Sequence, residues 1–329
     1  MNNQIQFIRT PDDAFKNLED YPYTENYMVL EGGVRMHYVE EGKGNEKTIF
    51  LLHGQPSWSY LYRHMIKYFV EAGYHVIAPD LIGFGKSDKP VDPKYHTYTN
   101  HVLWMSEFVQ NLGINNAISF MQDWGGLIGL RVLAEQPEWL NRLVVSNTAL
   151  AEVKGIGKYL YPVAMKLMTT LSSNPTIEKF ASNKTFGNWS GYFAKAKQPN
   201  IGLIMQILTN RSLSQPEMNA YNAPFLDQQF MAGPRTMPQI IATDINEVND
   251  AWKKLKKWEK PVLTLFSDND PFLAGKGYDT QFQTNFKGAK GQPHITISNA
   301  SHFLQEDQAK VLVENILNWE EVLQTHSIL

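Results

Sequence analysis

Three side chains in this sequence stand where a chain would place groups for covalent chemistry: Asp123, Asp270 and His302. Asp123 follows the apolar run Ala117-Ile-Ser-Phe-Met121 and Gln122. It precedes Trp124, the pair Gly125-Gly126 and the helix-compatible stretch Leu127-Ile-Gly-Leu-Arg131. That order predicts a strand, a sharp turn with Asp123 at its apex, and a helix. Such a turn lifts the apex side chain out of the sheet edge, where a substrate can reach it. With a carboxylate at the apex, the available chemistry is attack on carbon to give an alkyl ester. A plainer role also exists, because aspartate is a favoured helix cap. The two glycines weigh against a cap alone, since a helix start rarely needs them and a tight turn packed on neighbouring strands does.

Partners are expected beyond the carboxyl ends of other strands, where open α/β sheets gather their catalytic groups. After Val262-Leu-Thr-Leu-Phe266 comes Ser267-Asp-Asn-Asp-Pro271, and after Ile295-Thr-Ile297 comes Ser298-Asn-Ala-Ser-His302. The order nucleophile, acid, histidine then reads Asp123, Asp270, His302. Asp270 is preferred to Asp268 because it immediately precedes Pro271, where the strand has ended; Asp268 is expected to shape the turn. His302 would take a proton from the water that attacks the ester, and Asp270 would orient its ring. The oxyanion needs two backbone N–H donors. Trp124, the residue after the nucleophile, supplies one, and Gln55 the other, since Pro56 has no N–H. The leaving group stays open on these residues. Halide would need directed N–H donors in a dry pocket, such as the Trp124 indole, which donates and cannot accept. An epoxide would need an acid, for which the chain offers Tyr159, Tyr161, Tyr192 and Tyr221.

The elements that must position these groups read as strands alternating with helices, hence a mostly parallel twisted sheet covered on both faces. A hairpin is expected around Gly32-Gly33, with strands at Tyr27–Leu30 and Val34–Val39. Further strands fall at Thr48–Leu52, His75–Ala78 and Leu143–Ser146, and helices near 59–72, 99–112, 245–257, 278–286 and 308–323. Between Glu152 and Phe225 the alternation stops, and helical patches broken by Pro162, Pro175, Pro199 and Pro216 take over. Residues 152–225 are therefore expected to form a helical cap over a core made of 1–151 and 226–329. Residues 1–26 read as polar and irregular, and the lysines at 253, 254, 256 and 257 as a solvated helix face.

An apolar fraction of 43% is ample for a large core. The net charge of −3 offers no case for nucleic acid or an anionic membrane as partner. Without cysteine there can be no disulfide, thiolate nucleophile or Cys-ligated metal. No metal and no cofactor are expected. The first residues carry no basic segment followed by an apolar one, and no apolar run approaches the ~20 residues of a membrane span. A cytoplasmic monomer without a membrane partner is the expectation.

Gln122-Asp-Trp-Gly-Gly126, with His53-Gly-Gln-Pro-Ser-Trp-Ser-Tyr-Leu-Tyr-Arg63, resembles the haloalkane dehalogenases, closest to the subfamily that binds halide with a pair of tryptophans. The likeness extends to Arg9–Leu18 with Tyr21-Pro-Tyr23, to Ala220–Phe225 and to Ser301–Gln305. The Asp-Trp pair is shared with epoxide hydrolases, but those usually carry His before the Asp, where this chain has Gln122. The resemblance implies an α/β-hydrolase fold, hydrolysis of haloalkanes to alcohol and halide, Asp123 as nucleophile, His302 as base, Asp270 as acid, and Trp124 as first halide donor. It implies a cap tryptophan as second donor, and Trp189 is the only tryptophan between 152 and 225. Substrate, halide and water would be the small-molecule partners. Two departures stand out: Gln55 where relatives commonly have Glu, and a longer stretch over 158–182.

Overall fold

The computed structural model describes residues 5–172 and 176–328. Eight strands, β1 (Glu25–Val29), β2 (Arg35–Glu41), β3 (Lys47–Leu52), β4 (Tyr74–Pro79), β5 (Ala117–Gln122), β6 (Leu140–Ser146), β7 (Val262–Ser267) and β8 (Ile295–Ile297), form one sheet. Their spatial order is β1-β2-β4-β3-β5-β6-β7-β8. Only β2 runs against its neighbours, antiparallel to both β1 and β4; from β4 to β8 the pairing is parallel. Every residue of β5 and β7 is buried, which is why both read as continuous apolar runs: helices cover each face, so no position may alternate toward water. The fold is that of an α/β hydrolase, as the alternation implied. The hairpin turns through Gly32 and Gly33, both at φ near +80°, a conformation that costs glycine nothing.

Helices α1 (Arg63–Glu71), α2 (Tyr98–Leu112) and α3 (Trp124–Glu135) flank the sheet. All of α3 except Glu135 is buried, so the helix that follows Asp123 is fixed along its length. After β6 come five helices: α4 (Gly157–Leu171), α5 (Ile177–Ser182), α6 (Phe186–Lys195), α7 (Ile201–Ile207) and α8 (Gln215–Asn222). The expectation that Pro162 breaks a helix is wrong, because it lies inside α4. Pro216 starts α8 and Pro199 separates α6 from α7, while Pro175 lies outside the described residues. The short helix α9 (Ala232–Thr236) ties this layer down: Arg235 donates to the carbonyls of Ala196 and Lys197, both at 2.7 Å. Helices α10 (Ile245–Leu255), α11 (Tyr278–Asn285) and α12 (Leu304–Ile328) complete the core. Lysines 253, 254 and 256 meet Asp250, Glu135 and Glu152, as a solvated face would.

The N-terminal segment is more ordered than its composition suggests. Phe7–Ile8 pairs antiparallel with Lys89–Pro90, and the Arg9 guanidinium holds Asp88 at 2.7 Å. Two-residue pairings leave no periodicity in a sequence, so this one could not be read there.

Candidate active site

Asp123 sits at φ 51°, ψ −126°, a backbone position L-residues rarely adopt and one that a packed turn must impose. The packing is visible in the glycines. A Cβ on Gly125 would lie 2.2 Å from the Leu52 carbonyl oxygen, and one on Gly126 2.3 Å from Thr148 Oγ1. Thr148 also donates to the Asp123 carbonyl at 2.6 Å, bracing the turn. The capping role is absent: Asp123 stands before α3 yet makes no side-chain bond to the helix. Its Oδ1 instead accepts the Gln55 N–H at 2.8 Å, and the loop can come this close only because residue 54 is glycine.

The other oxygen, Oδ2, lies 3.6 Å from His302 Nε2, too long for a hydrogen bond but close enough for strong electrostatic coupling. On the far side of the ring, Nδ1 meets Asp270 Oδ2 at 2.7 Å. Asp270 keeps its place through its other oxygen, which accepts the N–H groups of Phe272 and Leu273 at 2.7 and 3.2 Å. Asp268 does what its position suggested, accepting the Asn299 and Ala300 N–H groups and so joining the loop after β7 to the loop after β8. The three residues read from separate strand ends thus converge on one point.

Gln55 turns its side chain away, with Nε2 donating to the Pro234 carbonyl at 3.0 Å, so only its backbone faces Asp123. The loop that carries it is held by a buried, neutral His53. Its Nε2 accepts the Leu81 N–H at 2.9 Å, which leaves Nδ1 to donate to the Gly54 carbonyl, also at 2.9 Å. Trp124 is buried and packs edge-on against Tyr98. Trp189, on α6, packs against Phe272, whose ring in turn meets His302 at 5.4 Å. Among the described residues, Trp58, Trp252 and Trp319 donate their indole N–H to protein acceptors. Those of Trp139 and Trp258 are sealed without partners. Trp124 and Trp189 have no protein acceptor and are not sealed, which leaves both N–H groups for a ligand. Trp104 shares that property but stands on α2 against the His96–His101 pair.

Sequence reasoning missed Asn147. At φ 31° beyond β6, it donates to Ser267 Oγ and to the carbonyls of Ser301 and His302, and its Oδ1 accepts the Ser267 N–H. An asparagine at a strand's carboxyl end was the only available signal. Gln122 donates to the His302 carbonyl at 3.2 Å, and its Oε1 is buried without a partner. Behind the site, Arg63 is buried between Glu306 and Glu217 at 2.5 and 2.7 Å, and Arg211 joins both carboxylates. Buried charges survive only when paired, and this set bolts α8 to α1 and to the start of α12, two residues from His302. His64, Glu217 and Glu306 bring ligand-type atoms within 4.8 Å of one another, but the two arginines already neutralise both carboxylates. These residues do not fit a metal.

Burial alone would lower the proton affinity of His302. The flanking carboxylates Asp270 and Asp123 outweigh it, pushing the ring up to about 10. A group whose folded pKa is raised contributes stability that is complete below the unfolded value of about 6.5 and is lost as pH climbs through the folded one. Wild-type protein is therefore expected to lose melting temperature between pH 7 and 10 more steeply than His302→Gln. In an Asp123→Asn variant, nitrogen-detected histidine NMR should show the His302 ring deprotonating at lower pH. Identical titrations in wild type and Asp123→Asn would mean the two groups are not coupled.

Comparison with known proteins identifies the family. The family model described as the alpha/beta hydrolase fold matches residues 47–309. A haloalkane dehalogenase of Mycolicibacterium paratuberculosis is 39% identical over 97% of this chain and 100% of its own length. One of Psychrobacter cryohalolentis is 40% identical, covering 95% and 98%. Among solved structures, the tetrameric haloalkane dehalogenase of Paraglaciecola agarilytica superposes with a TM-score of 0.77 at 28% identity, covering 94% of this chain and 97% of that one. A chain that follows such relatives from end to end, and turns an aspartate through the elbow after its fifth strand, belongs to the haloalkane dehalogenase family.

Proposed function

We propose that this enzyme hydrolyses the carbon–halogen bond of small and medium haloalkanes through an alkyl ester on Asp123. Residues 152–225 serve as the cap that closes the site. One observation carries the reading. The Asp123 carboxylate ignores its own helix and is held by the Gln55 N–H on one oxygen, leaving the second oxygen beside His302. Oδ2 attacks the carbon, the C–O bond forms, and halide departs with the electron pair of the broken bond. The Trp124 and Trp189 indoles donate to the departing ion. Water then adds to the ester carbonyl while His302 Nε2 takes its proton, and the Gln55 and Trp124 N–H groups receive the oxyanion. Collapse frees the alcohol and restores the carboxylate.

Esterification also removes one of the two negative charges that hold His302 protonated. The base therefore loses proton affinity at the step that needs it neutral. Asp270 remains to stabilise the imidazolium that forms when water is activated.

Epoxide opening would require a cap tyrosine as acid, and of the four only Tyr221 commits its proton to another group. Tyr221 donates to Glu306, Tyr192 accepts the Asn200 N–H, and Tyr159 faces solvent. Tyr161 and Tyr192 both keep a proton to give, so turnover of styrene oxide in place of bromoalkanes would favour that second reading.

Incubation with 1,2-dibromoethane and 1-bromobutane is expected to release bromide and alcohol; inactivity across a broad bromoalkane panel would reject the reading. Trp124→Phe and Trp189→Phe should each weaken bromide binding by ~1–3 kcal/mol, the worth of a hydrogen bond to a charged partner. Bromide quenching of tryptophan fluorescence measures this, and unchanged quenching in both variants would remove the indoles from the role.

A further inference from the structure

Helix α4 is built unlike the other described α-helices. None of its fifteen residues is buried. Its inner side, through Thr169 and Met168, rests on α6, where Thr169 Oγ1 meets Ser190 Oγ at 2.7 Å and Gly187 makes room for Met168. Its outer side should then be polar. Instead Ile156, Tyr159, Leu160, Val163, Leu167 and Leu171, spaced by three and four residues, form one outward stripe with exposures of 53–76%. A contiguous apolar face of this kind marks an interaction site.

The charges around it say what it meets. From residue 153 to 210 the chain holds seven lysines and one acid, Glu178, a net +6 within a total of −3. Lys166 flanks the stripe and is exposed, and Lys154, also exposed, precedes α4 paired with Glu152 at 3.2 Å. Lys195 reaches the helix end, donating to the Thr170 and Ser172 carbonyls at 3.0 and 2.8 Å. Within α4 itself the charges are Lys158 and Lys166 with no acid, and an apolar stripe on a helix whose own charges are all basic is the pattern of one lying in the headgroup region of an anionic bilayer. A second copy of the same face would set lysine against lysine, with no acid between 153 and 177 to relieve them. The overall charge hides this segregation because the remainder of the chain is acidic.

We infer that α4 docks the cap onto the surface of an anionic phospholipid bilayer, its apolar stripe at the headgroup–acyl boundary and its lysines among the phosphates. Resting on the proposed activity, the benefit is access: haloalkanes concentrate in lipid, and docking through the cap holds the site beside that reservoir. Binding itself is independent of turnover, so the two readings fail separately.

Co-sedimentation of the full chain with vesicles tests it. Vesicles of phosphatidylglycerol and phosphatidylcholine in equal parts should carry the protein down at low salt, and phosphatidylcholine alone should not. Lys166→Gln should weaken association about five-fold, the usual worth of one lysine at such a surface. The triple variant Leu160→Glu, Val163→Glu, Leu167→Glu should abolish it while melting normally by circular dichroism, since those side chains support no core. No preference for anionic vesicles, or undiminished binding by the triple variant, overturns the inference. So does a wild-type oligomer that the triple variant dissociates, for then a second copy covers the stripe.

Discussion

Replacement of His302 by glutamine is expected to stop the enzyme halfway. The attack on carbon needs only the Asp123 carboxylate and the halide donors, neither of which involves the ring. Hydrolysis of the ester needs a base within reach of water, and His302 Nε2 is the group so placed, 3.6 Å from Asp123 and anchored behind by Asp270 at 2.7 Å. Loss of a positioned general base costs about 10²–10⁴-fold. Steady-state turnover should fall by that factor, while a stopped experiment shows one burst of bromide per enzyme. The peptide carrying Asp123 should then be heavier by one alkyl group. Continued multiple turnover, or loss of the burst together with the adduct, would show that His302 does something other than resolve an ester.

The fold and the convergence of the three candidate groups were legible for one physical reason. Strands buried on both faces have to be apolar throughout, so each announces its own end, and the catalytic loops begin there. Asp123 and Asp270 each follow such a run, whereas His302 follows the edge strand β8, where Ile295 and Thr296 are exposed, and it was legible from its place in the order nucleophile, acid, histidine. The preference for Asp270 over Asp268 agrees with the contacts, since Asp270 meets the His302 ring and Asp268 ties the neighbouring loop, although β7 ends at Ser267, before both, so Pro271 does not mark its end.

What escaped reading is support rather than chemistry. Asn147 holds the His302 loop by two carbonyls and ties it to Ser267 at the end of β7, yet an asparagine beyond a strand looks like any turn former. The Arg63–Glu306–Glu217–Arg211 cluster joins residues far apart in sequence, and nothing local distinguishes a buried arginine from a solvated one. Pro162 misled because a helix can keep a proline where the lost hydrogen bond faces water; α4 has no buried residue to make that loss expensive. Trp189 was reached through family likeness alone. Its route to the site, through Phe272 onto His302, depends on how the cap lies over the sheet, and no periodicity encodes that.

Substitution of Asp123 by alanine is expected to abolish turnover by on the order of 10⁶-fold, the cost seen when a hydrolase loses its nucleophile. Loss alone would not tell a nucleophile from a base that directs water, because Asp123 could serve either way. The inequivalence of its two oxygens decides the matter. Oδ1 is fixed by the Gln55 N–H at 2.8 Å, whereas Oδ2 is free to bond carbon. If Oδ2 attacks, it leaves with the alcohol, and the oxygen that replaces it comes from water. A single turnover in heavy-oxygen water with excess enzyme should therefore yield unlabelled alcohol, and an Asp123 peptide heavier by one oxygen label. Were Asp123 only a base, water would strike the substrate directly, and the label would appear in the alcohol while the peptide stayed light. That second distribution is incompatible with an ester on Asp123, and with the role given to His302 in resolving it.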